Sequence, residues 1–365
     1  MISPVTLFII TGTILFCIPG MVQLPFRVMC LILFNIYVFY RHKSISLQNV
    51  SIGVIIVLFI CFKLKRNTFD TSLLMIALSI FPVYYFYKFK IRFSKKVLRS
   101  LYIASSIWII GIIIQMSIFR YNGRPTLGYE INQSGSYLFL IYLLSDILKY
   151  RYKKIIIVIL SCLLLSRLLL GCIIVFELIK LIKPKISFIV NQFTYTNLII
   201  LSAIAISIFS LWYFINMSGN ITDGSDGIDR LSNLNDGSNY LRFKINSEIL
   251  VNLLTNEDIR LLQDGYGDLG KNSEYRNIYY LMPHNELYKA IAQFGIFFTL
   301  ICFLISRKSY TKLVNKYTII YFIPVCIYTL ILWVRFTIIP SIEMLFILYI
   351  LLFANEKNRH CNIRC

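Results

Sequence analysis

The chain has 365 residues, of which 58% are hydrophobic and only 15% charged, with a mean hydropathy of +0.71. A soluble globular protein carries about 25% charged residues, so this composition excludes a cytosolic enzyme, a disordered tail and a secreted domain. The formal charge of +20 is read here as the positive-inside bias of a membrane protein rather than as a nucleic-acid surface.

Apolar runs predict an all-α polytopic membrane protein with about twelve transmembrane helices. In chain order they cover 5–22, 26–40, 50–64, 70–87, 98–119, 136–150, 155–166, 168–183, 197–215, 288–306, 317–333 and 336–354. The seventh is short, since a full crossing takes about 20 residues. The first lacks a basic lead and an A-x-A-like cleavage site, so it reads as a retained anchor. The chain thus divides into nine spans over 1–215, an extracytoplasmic loop over 216–287, three spans over 288–354 and a cytoplasmic tail over 355–365.

An N-terminus in the cytoplasm puts 22 of the 37 Lys and Arg residues into the inner connections and the tail. Examples are Lys88 to Arg99, Lys149 to Lys154 and Arg307 to Lys316. Short outer connections are correspondingly poor in cations, as the rule requires. Lys63, Lys65 and Arg66 are the exception.

Residues 216–290 break the apolar pattern, with 11 acidic against seven basic side chains. A segment this long is uncommon unless it is functional or disordered. It opens like a flexible linker from Gly219 to Gly237. Leu241, Ile245, Ile249, Leu250, Leu253 and Leu254 then recur at helical spacing, which predicts an amphipathic helix on the membrane or capping the bundle.

Nine cysteines form no CxxC pair, and none lies in 216–290, so no disulfide framework is expected. No HExxH or His/Cys cluster suggests a metal, and no cofactor is expected. The spaced trio Asp223, Asp226 and Asp229 lies among Gly and Ser and reads as a solvated loop.

His284 is the only outward histidine, and so the only outward side chain that titrates near neutral pH without a large shift. Pro283 disfavours helix before it, and Asn285 is a good N-cap for the helix that follows. A base would then share one location with the anion-favouring end of a helix. Arg120 and Arg124 follow the fifth span, Arg167 interrupts an apolar run, and Arg242 opens the amphipathic helix. Guanidinium forks match phosphate oxygens. Snorkelling to lipid headgroups is the alternative for each.

The stretch PHNELYKAIAQFGIFFTLICFLI resembles the signature of the O-antigen polymerase and ligase superfamily, in the pairs His284-Asn285 and Gly295-Ile296. Upstream, LLLSRLLLGCIIVFEL is similar to that family's Ser-Arg at a helix break, here Ser166-Arg167. NYLRFKINSEILVNLL followed by DGYGDLG resembles its loop arginine, helix and Gly-x-Gly, with Arg242 in the arginine position. The sequence departs from the pattern before Ser166, where Leu165 stands, and after Arg167, where no small residue follows.

The resemblance implies an inverting, metal-independent glycosyltransferase of the bacterial cytoplasmic membrane with both termini cytoplasmic. It would extend O-antigen or capsular polysaccharide from undecaprenyl-pyrophosphate-linked repeat units. A chain-length regulator and membrane lipids are the further partners it implies, and nucleic acid is not among them. His284 would act as general base, with Arg242 as a second catalytic residue. Arg167, Arg124, Arg120 and Asn285 would bind the pyrophosphate. The alternatives are a ligase passing the glycan to a lipid or wall acceptor, and a lipid-oligosaccharide flippase. A transporter more often buries polar groups at the midplane, whereas here the polar residues concentrate in one loop.

Overall fold

The computed structural model describes residues 3–41, 47–65, 71–121, 123–217, 237–331 and 335–362. The apolar stretches form helices over most of their length, and the polar segment adds three more between 237 and 278. In chain order these are α1 (Pro4–Cys17), α2 (Gln23–Arg41), α3 (Leu47–Lys65), α4 (Thr71–Tyr85), α5 (Lys95–Ile118) and α6 (Ile131–Ile147). They continue as α7 (Arg151–Leu164), α8 (Arg167–Gln192), α9 (Tyr195–Met217), α10 (Gly237–Thr255), α11 (Ile259–Leu262) and α12 (Ser273–Ile278). The last three are α13 (Glu286–Leu313), α14 (Ile319–Ile331) and α15 (Ile342–Asn362). A two-stranded antiparallel hairpin, β1 (Arg120–Tyr121) and β2 (Arg124–Pro125), follows α5.

The protein is all-α and embedded in a membrane. Among the described residues, five helices, namely α2, α4 with its 3-10 extension to Lys88, α5, α9 and α13, have by length and composition what a crossing takes, while α1 and α14 are apolar but shorter. On α5 the side chains of Ile103, Ile107, Ile110 and Ile114 are exposed, and those of Leu101, Trp108 and Ile112 are buried. Both faces are apolar, which suits a helix between protein and hydrocarbon. At the centre runs α15, apolar all round and buried from Met344 to Ala354. Its Phe346 stacks on Phe8 of α1 at 4.7 Å, and Tyr349 packs on the same ring at 4.9 Å.

Two sequence expectations are corrected. The run 336–354 does not start as helix: residues 335–341 are irregular and α15 begins at Ile342. The run 288–306 is not one straight crossing, because α13 is broken at Gly295. Beyond the run 336–354, α15 continues through the first residues of the segment read as the tail, as far as Asn362.

The expected amphipathic helix is α10, which packs against α9. Ile245 and Ile249 are buried, and Phe243 meets Phe209 edge-on at 5.0 Å. With Leu261, Tyr266, Tyr275, Tyr279, Ile291 and Ala292 they form a second, smaller core. The linker from Gly219 and the trio Asp223, Asp226 and Asp229 lie outside the described residues.

Candidate functional site

Gly295 has φ 77° and ψ 162°, a conformation open almost only to glycine. A Cβ there would stand 2.2 Å from the Gln263 carbonyl oxygen. Breaking the helix strands the carbonyls of the turn before it. Ala292 O accepts the N–H of Tyr266 at 2.7 Å, and Gln293 O accepts that of Gly267 at 3.0 Å. Gly265, at φ 62°, is equally tight, since a Cβ would lie 2.6 Å from Ala292 O. The Gly-x-Gly at 265–267 and Gly295 therefore interlock backbone to backbone.

Lys63, which departed from the expected charge pattern, is held inside the fold. Its ammonium is buried and donates to Gln293 O at 3.1 Å, at the negative end of the arm 286–294. The Gln293 side chain donates to Ser72 Oγ at 2.9 Å and accepts from Arg335 Nη2 at 3.3 Å.

At the other end of that arm, Glu286 is buried and its carboxylate sits in a cradle of backbone donors. It accepts the N–H groups of Phe336 (3.3 Å), Thr337 (3.0 Å), Ile338 (2.8 Å) and Ile339 (2.9 Å), and the Thr337 hydroxyl at 2.8 Å. Irregular backbone within a bilayer is tolerated only where its polar groups are met. Here one side chain meets four of them.

The same segment is held from the far arm. Ser306 Oγ donates to Ile338 O at 3.0 Å, and the Tyr310 hydroxyl donates to Phe336 O. A straight helix would set Glu286 and Ser306 about 30 Å apart, yet both bond Ile338. The two arms of α13 therefore fold back on each other at Gly295, making a helical hairpin.

The N-cap expectation holds. Asn285 Oδ1 accepts the N–H groups of Leu287 (2.8 Å) and Tyr288 (3.2 Å), so two of the donors expected to seat an anion are taken by the cap itself. His284 is half-buried immediately before it. A small, half-open cleft beside Glu286 is lined by Ile199, Ser202, Ala203 and Ile206 of α9 and by Thr329 and Thr337. The helix mouth thus faces the first half of α9.

Ser166 and Arg167 do stand at a helix break. Leu165 ends α7 in the left-handed conformation at φ 51°, and α8 starts at Arg167. Ser166 Oγ is buried, 3.3 Å from Asn132 Oδ1. A Cβ on Gly135 would lie 3.3 Å from Ser166 Oγ and 3.2 Å from the Tyr328 hydroxyl. Tyr328 and Thr329 are neighbours on α14, and Thr329 Oγ1 lies 3.4 Å from Thr337 Oγ1 at the Glu286 cradle. One helix therefore separates the Ser166-Arg167 break from the Asn285-Glu286 mouth, which are more than 100 positions apart in sequence.

Arg120 folds back onto the last carbonyls of α5, donating to Met116 O and to Phe119 O at 3.4 Å. Arg124 is half-buried on β2, which packs against α7. Arg242 lies in the second turn of α10, and its side chain is outside the described residues. Sequence reasoning missed Glu286, Gln293, Arg335 and the partly buried pair Arg27–Glu343 (2.7 Å). Charges inside apolar runs are functional or structural hypotheses by default. Arg27 in 26–40 and Glu343 in 336–354 carried that signal.

Above the hairpin, Asp258 Oδ2 accepts the phenols of Tyr266 (2.8 Å) and Tyr279 (3.0 Å). Burial, then the Asp258 carboxylate, pushes the Tyr266 phenol far above its ordinary value, so it remains a donor. Among the described residues, no three His, Cys, Asp or Glu side chains are grouped to hold a metal ion. Comparison with models of protein families, with curated proteins and with solved structures finds no match.

Proposed function

We propose that the chain is a polysaccharide polymerase of the bacterial cytoplasmic membrane, with twelve crossings and both termini cytoplasmic. In this reading it extends an undecaprenyl-pyrophosphate-linked glycan by inverting transfer on the outer side, without a divalent metal. His284 takes the proton from the attacking sugar hydroxyl. Arg242, Arg167 and Arg124 stabilise the departing pyrophosphate, with Arg120 and Asn285 at the edge of the site.

The proximity of the Ser166-Arg167 break to the His284-Asn285 mouth, across α14, carries the reading. The interlock of Gly265 and Gly267 with Gly295 adds to it, since these are the motifs on which the family resemblance rests.

The test is the polysaccharide ladder from a null strain expressing each variant at matched protein level. His284→Ala and Arg242→Lys are expected to abolish long chains, because general-base catalysis contributes about 10²–10⁴-fold and lysine lacks the bidentate fork. Arg41→Ala, on the cytoplasmic side, leaves the ladder intact. Normal ladders from both site variants overturn the assignment.

One observation favours a second reading. A helix broken within an apolar run, as α13 is at Gly295, and a charge pair within apolar runs, as Arg27–Glu343 is, are also the anatomy of transporters. Passage of a labelled lipid-linked oligosaccharide across protein-containing vesicles, with no chain growth, would favour that class.

A further inference from the structure

We infer that Glu286 is a positioning residue, which fixes His284 by locking the helix mouth to residues 336–339; this rests on the proposed role of His284. Its carboxylate collects five donors, and all five come from one irregular stretch of chain. That stretch has no helix or strand of its own between Arg335 and Ser341. Its backbone oxygens are held elsewhere, at Phe336 by Tyr310, at Thr337 by Tyr195 (2.7 Å) and at Ile338 by Ser306 (3.0 Å). The stretch is therefore anchored independently of the mouth, and Glu286 supplies the link between the two.

His284 stands two positions before this link. Between them Asn285 spends its side chain on capping the first turn. Pro283, on the other side, narrows the backbone choices of the residue before it. Any slip of Glu286 in its cradle is thus passed to the imidazole through one intervening residue. Misplacing a reacting group by about 1 Å can cost about 10²-fold in rate. A carboxylate suits the task because it is acceptor-only and can face several donors at once. An amide cannot, because its NH₂ would be turned against backbone N–H groups.

The test uses the full-length protein in detergent, comparing wild type with Glu286→Gln and with Thr337→Val, which removes a single donor from the cradle. Two readouts are taken on the folded, monodisperse fraction. The first is extension of lipid-linked repeat units, resolved into kcat and KM. The second is the rate at which diethyl pyrocarbonate modifies His284, followed by mass spectrometry, with His42 and His360 as internal references.

Glu286→Gln is expected to lower kcat at least ten-fold with KM within about two-fold, and to change the His284 modification rate several-fold. Thr337→Val shifts both in the same direction by less, and decides the matter if Glu286→Gln does not fold. Wild-type kcat per folded molecule, or an unchanged His284 modification rate, overturns the inference and leaves Glu286 with stability alone. If the wild-type protein extends no glycan, the polymerase reading falls, and the modification rate by itself decides whether Glu286 sets the position of His284.

Discussion

Glu343 and Glu286 are both shielded from solvent at the start of a helix, yet their partners differ in kind. Glu343 pairs with the Arg27 guanidinium at 2.7 Å and accepts the Tyr137 hydroxyl at 3.0 Å. Arg27 is in turn fixed by Gln23 and by the hydroxyls of Tyr129 and Tyr137. Glu286 faces one hydroxyl and four backbone N–H groups. A charge held by side chains can be deleted together with its partner, since hydrophobic replacements of buried pairs are often neutral or stabilising. Backbone donors cannot be deleted. The first arrangement is replaceable as a unit and the second is not.

The largest effect should come from Glu286→Ala. It strands four buried N–H groups, each at a cost of about 1–3 kcal/mol. We expect little or no monodisperse protein after extraction, measured by size-exclusion chromatography against wild type. Glu343→Ala should cost about 1–3 kcal/mol by removing the carboxylate partner of the partly buried Arg27. The double variant Arg27→Met with Glu343→Leu should recover most of that loss in thermal unfolding. If the double variant is no more stable than Glu343→Ala, the contrast between the two carboxylates is lost.

Gly295→Ala follows. Its backbone conformation alone costs a side chain about 1–3 kcal/mol, and the Gln263 carbonyl would have to move as well. The expected signature is faster proteolysis within 258–282, because that segment is docked on the break through Tyr266 and Gly267. Digestion at the wild-type rate would show that the interlock is dispensable. The smallest change is Asn285→Ala, with about 1 kcal/mol lost from the cap. A thermal midpoint equal to wild type would mean that solvent or another group replaces its two bonds.

Much of the helical plan was legible in the sequence, because bilayer helices announce themselves through long apolar runs. The amphipathic spacing of Ile245 and Ile249 located α10, and the Pro-His-Asn order located the cap at Asn285. The hairpin was hidden for a physical reason. A broken helix whose arms pack on each other is as apolar as a straight one, so hydropathy alone cannot separate them. Gly295 and the Gly265–Gly267 pair were visible as motifs, but their mutual contact is a tertiary fact. The irregular stretch 335–341 was hidden in the same way, since Phe336, Ile338 and Ile339 read as the start of a span. Glu286, 50 residues earlier, takes the N–H groups of that backbone, and Tyr195, Ser306 and Tyr310 take its carbonyls. The Ser166 break and the helix mouth likewise become neighbours only once α14 is placed between them.

The fold-back of α13 is the claim on which the placement of His284 depends, and one distance tests it directly. Spin labels at Lys289 and Arg307, on the two arms, would stand about 27 Å apart between backbones on a straight helix. In lipid nanodiscs, double electron–electron resonance should give a much shorter separation, and Gly295→Ala should broaden or lengthen it. A single narrow distribution near the straight-helix distance in the wild-type protein would contradict the hairpin, and with it the placement of the helix mouth against residues 336–339.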